Sequence, residues 1–177
     1  MRHRVLMPAL FLSLISAASA QAELPAPPAD LTGISFLVGT WESGDGRVAE
    51  TGGTSRGSSK ITAEAGGSAL LRRDHTDLFG ADGKATGSFD QIMLIYREGR
   101  AIHADYTDGE HVIHYTSAVV VPGRSVAFTT STIATAPTFR LSYEKTADQT
   151  LALRFEIAPP GQTEFHAIAT GTLHKGT

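Results

Sequence analysis

The chain has 177 residues, with 15 Lys and Arg against 18 Asp and Glu, and it contains no cysteine. The missing thiols exclude disulfides, thiolate metal sites, a catalytic cysteine and a lipoprotein anchor. The mild negative charge and the lack of any basic run exclude nucleic acid or an anionic membrane surface as the main partner.

The first 20 residues read as a secretory signal. Arg2 and Arg4 give a basic start, Val5 to Ile15 is apolar apart from Pro8 and Ser13, and Ala18-Ser19-Ala20 forms an A-x-A cleavage site. An apolar run of about 11 residues is too short for a hydrocarbon core that needs about 20. The segment therefore predicts export with cleavage and no membrane insertion afterwards, leaving a periplasmic or secreted protein. Residues 21–29, rich in Pro and Ala, read as a flexible leader, and 30–177 as one domain large enough for a real core.

Asp30 is expected to N-cap one or two helical turns reaching Leu37. From Gly39 onward, Gly66-Gly67, Glu98-Gly99, Asp108-Gly109 and Pro122-Gly123 each sit between short β-rich runs. Strands are predicted over 38–43, 53–63, 69–78, 90–97, 100–107, 110–121, 124–131, 137–145, 150–157 and 164–174. Gly44, Gly46, Gly52, Gly53 and Gly57, scattered among Ser and Thr, read as loop or bulge positions. The expected fold is all-β: an antiparallel up-and-down meander of about ten strands, closed into a barrel that leaves no edge exposed, with a short N-terminal helical turn.

Turn positions fix which residues share a face, because side chains alternate along a strand and paired residues lie on one side. A turn at Glu98-Gly99 sets Ile95 against Ile102 and Met93 against Ala104. One at Asp108-Gly109 sets Tyr106 against His111, Ala104 against Ile113 and Ile102 against Tyr115. One at Pro122-Gly123 sets Val119 against Val126 and Ser117 against Phe128. All of these are assigned to the interior. So are Phe139, Leu141 and Tyr143, which face Leu151, Leu153, Phe155 and Ile157. Arg140, Glu144, Arg154 and Glu156 take the outside. The last strand adds Phe165, Ala167, Ala169, Gly171 and Leu173, three of them small, which leaves room beside that wall.

Phe36-Leu37-Val38-Gly39-Thr40-Trp41 resembles the Gly-x-Trp opening of lipocalin-like (calycin) barrels, in which the Trp plugs one end. Ala104-Asp105-Tyr106, Gly109 to Tyr115, Phe139-Arg140-Leu141 and Phe155 to Gly161 are similar to a group of exported bacterial proteins with that fold and no assigned activity. A more distant likeness is to the nitrobindins, ten-stranded haem proteins whose Gly-x-Trp-x-Gly-x-Gly opening is approximated by Gly39 to Gly46. That likeness implies a haem ligand near the last strand, for which His166 and His174 are the candidates. Both fall in the outward phase, so no cofactor is expected, with haem as the alternative.

The polar residues expected inside an otherwise apolar interior are Arg72, Tyr106, His111, Tyr115 and Tyr143. The Gly66-Gly67 turn pairs Ile61 with Arg72, which favours Arg72 inside, with Arg73 and His75 taking its place if the register slips by one; an inward Arg72 needs a partner, either Asp74 or an acidic ligand. Tyr106 and His111 are expected as neighbours near a mouth, able to orient a ligand or move a proton near neutral pH. His103, His114 and Asp105 form a surface group that reads as solvated rather than metal-binding, so no metal site is expected.

No Gly-x-Ser-x-Gly elbow, phosphate-cradling loop or His-Glu-x-x-His is present. The leading expectation is a barrel that binds a small hydrophobic or amphipathic molecule, an acidic one where it serves as the partner of Arg72, through these five residues. The rival is an isomerase- or hydratase-type enzyme using His111 and a Tyr as acid and base.

Overall fold

In the computed structural model, which describes residues 31–176, ten antiparallel strands close into a barrel. They are β1 (Gly39–Val48), β2 (Gly53–Glu64), β3 (Ala69–Phe79), β4 (Ala85–Glu98), β5 (Ala101–Thr107), β6 (Val112–Val121), β7 (Ser125–Thr130), β8 (Thr138–Ala147), β9 (Thr150–Ala158) and β10 (His166–Lys175). Each strand pairs with the next, and β10 returns to β1, so every edge is satisfied. A 3₁₀ helix, Leu31–Leu37, precedes β1, and a second 3₁₀ turn, Ala65–Gly67, joins β2 to β3. The expected signal, leader and Asp30 cap lie outside the described residues.

The 3₁₀ helix closes one end of the barrel. Its buried Leu31, Ile34 and Leu37 join a core with Trp41, Ile61, Leu70, Ile95, Ile102, Val126 and Leu151. Trp41 is the expected plug: 2 % exposed, it donates its indole N–H to the Leu37 carbonyl at 2.7 Å, with the Lys175 ammonium 4.8 Å from its ring. The Gly123 amide donates to the Gly33 carbonyl at 2.8 Å, tying the helix to the β6–β7 hairpin. Burying the six large side chains Ile34, Leu37, Trp41, Ile61, Ile95 and Leu151 here, at about 1.5–3 kcal/mol each, makes this end the stable base.

Two hairpins differ from the expected register by two residues, and a third, at Pro122-Gly123, by one, which pairs Val120 with Val126 and Ala118 with Phe128. Glu98 pairs with Ala101, which brings Ile95 opposite Ala104 and Met93 opposite Tyr106. Thr107 pairs with Val112, which brings Ala104 opposite Tyr115 and Tyr106 opposite Ile113. An even shift keeps every side chain on its face, so the interior assignment survives there. It does not survive for His111, which falls in the connecting loop.

Bulges do reverse faces. An extra residue in β6, between Tyr115 and Ser117, turns Ala118 and Val120 inward and Ser117 and Val119 outward, leaving Val119 73 % exposed. A second bulge in β10, between Ala167 and Ala169, does the same to the start of that strand. Phe165 therefore lies outside, its ring 4.0 Å from the Arg140 guanidinium, and Ala167 pairs with outward Glu156. Neither bulge has a Gly or Pro at the inserted residue to announce it. A third, in β1 between Ser43 and Gly46, has one: a Cβ on Gly46 would run into Ser55 Oγ, so only glycine lets β1 and β2 approach there.

Candidate functional site

Above the packed base the barrel encloses a cavity of about 840 Å³. Ten strands make a wider barrel than the eight whose interior side chains just fill, and residue size decides where the space falls. The wall made by β10, β1 and β2 presents Ala169, Gly171, Ser43, Gly46, Ser55, Gly57 and Ser59. At Gly57 a Cβ would collide with the His75 carbonyl, so that position admits nothing larger. The facing wall presents Phe89, Tyr106, Ile113, Tyr115, Phe139, Leu141, Tyr143, Leu153 and Phe155, with Phe139 and Phe155 stacked at 5.8 Å. A small-residue wall opposite an aromatic one leaves a slot.

Arg72 lies inside, as expected, and is 6 % exposed. Its Nε donates to Asp74 Oδ2 at 2.6 Å, and Nη2 donates to the same oxygen and to Gln91 Oε1 at 3.0 Å. Nη1 lies 3.6 Å from Met93 Sδ, and the Tyr143 ring packs 5.9 Å away. Burial works against the guanidinium's charge. The Tyr143 oxygen and the Asp74 carboxylate more than offset it, so its pKa moves up. Arg72 is thus an internal ion pair, the first of the two partners anticipated for it.

Three polar atoms around the cavity are sealed from solvent without a close hydrogen-bond partner among the described residues: Ser59 Oγ, Asp74 Oδ1 and Tyr143 Oη. Burial pushes the Tyr143 phenol up to about 12, with Arg72 pulling the other way. Burial likewise raises Tyr115, and it raises Tyr106 with help from the Asp108 carboxylate. All three phenols therefore stay protonated at neutral pH and act as hydroxyls.

His111 is not inside. Its side chain is 70 % exposed at the mouth, so the cross-strand Tyr106–His111 pair is not formed. Asp108 links the two instead. Its Oδ2 accepts from Tyr106 Oη at 3.3 Å and lies 3.2 Å from His111 Nδ1, while Oδ1 accepts from the Glu110 and His111 amides. Burial alone would raise the Asp108 carboxyl, but those amides and the His111 ring hold it below its usual value. An imidazole in that position anchors the β5–β6 loop and lines the cavity only at its mouth.

The outer histidines behave as expected of surface groups. His114 Nδ1 lies 2.7 Å from Asp105 Oδ1, and His103 stacks on Tyr96. Among the described residues no group of His, Asp and Glu is placed to hold a metal. The β10 bulge sets His166 opposite Ile157, on the inward phase and not the expected outward one, yet neither His166 nor His174 lines the cavity, so neither is placed to hold a haem there.

Sequence reasoning missed the small wall contributed by β1 and β2. The available signal was the period-two run Ser55, Gly57, Ser59, Ile61, which continues an inward face with small side chains. Gly and Ser instead suggested loops.

No family model matches the chain, and no curated protein is similar to it in sequence. Among solved structures, EF1p2_mFAP2b bound to DFHBI is similar with a TM-score of 0.46 and 11% identity, covering 84% of this chain and 100% of its own. A DUF3598-family protein of unknown function from Nostoc punctiforme has a TM-score of 0.33 and 7% identity, over 84% of this chain and 99% of its own. Likenesses this distant carry no weight for function, which rests on the cavity itself.

Proposed function

We propose that this chain is an exported, lipocalin-like barrel that binds one small apolar or amphipathic molecule in its interior. The observation that carries the reading is the slot of about 840 Å³ between a small-residue wall and an aromatic wall, apolar for the most part and provided with a few hydrogen-bonding groups. That combination is the usual make-up of a small-molecule site. Tyr106, Tyr115 and Tyr143 supply aromatic surface, Arg72 fixes the polar end of the wall, and His111 stands at the entrance. Export is supported by the basic start, short apolar run and Ala18-Ser19-Ala20 of the sequence. Work in water rather than lipid is supported by charges on the outer face, such as Lys60 beside Arg73 and Arg140 beside Glu156.

The test is a fluorescence titration with the neutral dye Nile red, on the wild type and on Ala169→Phe. The new ring enters empty space beside the aromatic wall. One site per barrel in the wild type, weakened at least tenfold in a variant that still unfolds cooperatively, is the expected result. Equal binding by the two proteins places the dye elsewhere and removes the proposal.

A further inference from the structure

We infer that the cavity selects a neutral ligand, whose polar end is a hydroxyl or carbonyl oxygen held by the Gln91 amide and the Tyr115 hydroxyl, and that it rejects carboxylates and ammonium groups. The inference rests on the binding reading above and supplies the chemistry of the ligand's head.

The buried charges cancel within the wall. Arg72 spends three N–H bonds on Asp74 and Gln91 and turns a fourth toward Met93 Sδ. A carboxylate entering the cavity would have to displace Asp74 or stay buried without a counter-ion, and an ion desolvated without a partner is strongly disfavoured. An ammonium group meets the converse obstacle. The carboxylate that would attract it already holds Arg72, and its other oxygen, Oδ1, is sealed from the cavity. The lining adds to the bias against anions, since Glu50, Asp108 and Glu110 stand there against the guanidinium of Arg56, while His75 and His111 are already matched to Asp77, Asp90 and Asp108.

What the cavity offers instead is neutral. The Gln91 carbonyl oxygen accepts from Arg72, which fixes the amide and leaves Nε2 with no acceptor among the described residues. Tyr115 Oη likewise has no partner among them, and unlike Ser59 Oγ and Tyr143 Oη it is not sealed off. Both residues line the same space. An amide N–H and a hydroxyl along the same apolar cavity each suit an uncharged oxygen acceptor on an otherwise apolar body. Burial keeps the Tyr115 phenol protonated, so it can donate.

The experiment measures displacement of Nile red from the wild-type protein at pH 7 by naphthalene, 2-naphthol, 2-naphthoate and 2-naphthylmethylammonium. These share one ring system and differ in head group. 2-Naphthol is expected to compete at least tenfold better than either ion and roughly fivefold better than naphthalene, the latter equivalent to about 1 kcal/mol for one net hydrogen bond. Tyr115→Phe is expected to shrink the advantage of 2-naphthol over naphthalene, read as the ratio of the two affinities in that variant. Should that variant fail to fold, the wild-type series still decides. Naphthoate matching or beating naphthol would make Arg72 the anchor, and the ammonium compound binding best would make Asp74 the anchor; either overturns the inference. So does naphthol no better than naphthalene. Nile red binding without head-group preference overturns this inference alone, whereas absence of Nile red binding overturns the binding reading with it.

Discussion

Replacing Arg72 by Met leaves the Asp74 carboxylate, 8 % exposed, facing an apolar wall without its partner. Removing one member of a buried pair typically costs about 3–5 kcal/mol, because the other charge stays desolvated and unpaired. The adjoining cavity admits water near the pair, so the lower figure, about 3 kcal/mol, applies here. Asp74→Leu strands the guanidinium in the same way and is expected to cost a similar amount. The double variant Arg72→Met, Asp74→Leu strands nothing. Its expected loss is about 1 kcal/mol, mainly the hydrogen bond to Gln91. The coupling between the two sites should therefore be at least about 3 kcal/mol. Urea unfolding at pH 7, followed by the fluorescence of Trp41, the chain's one tryptophan, measures all four stabilities. Single-variant losses that add to the double within about 0.5 kcal/mol would refute the argument that Arg72 and Asp74 serve each other.

Tyr143→Phe removes the sealed phenol oxygen that favours the Arg72 charge, and it should lower stability by about 1 kcal/mol, or roughly 2–4 °C in Tm for a domain of this size; a gain of that size would mean the hydroxyl is an uncompensated burden. Glu156, whose side chain is 6 % exposed, accepts from Arg140 at 2.7 Å and from Arg154 at 3.3 Å, and these bonds hold its pKa below the usual 4.5. A carboxyl depressed in the folded state contributes stability above its unfolded pKa and loses it as pH falls through the folded one. Glu156→Gln should therefore be less stable than wild type at pH 7 and draw closer to it as pH falls below 4.5, as read from urea midpoints across pH. His111→Ala should leave Nile red affinity within about twofold, since a ring 70 % exposed at the mouth gives up little contact; a larger fall would place the ring on the dye.

Alternation and turn chemistry made most of the barrel legible. Ile61 opposite Arg72 follows from period two anchored at a turn, and the shared inward face of Leu141, Leu153, Phe155 and Gly171 follows from period two alone. The two-residue slips at the β4–β5 and β5–β6 hairpins did no harm, because an even slip preserves the face. Ser117, Val119, Phe165 and Ala167 came out on the wrong side because a single inserted residue reverses phase, and Thr116 and Ile168 carry no local mark of a bulge. Of the candidate site, Arg72, Tyr106, Tyr115 and Tyr143 were legible as inward positions. His111 was not, since a four-residue loop replaced the expected two-residue turn and Asp108 took up its ring. The cavity's extent was hidden for another reason: it depends on β1, β2 and β10 presenting small residues at the same level, which is a property of closure and not of any one strand.

Native mass spectrometry on protein purified gently from its own cells tests the central claim most directly. The account predicts one additional mass per barrel, lost on denaturation and carried by a small neutral compound with an apolar body. A wild-type barrel that arrives at its bare mass, and that also fails to take up Nile red in solution, would contradict it.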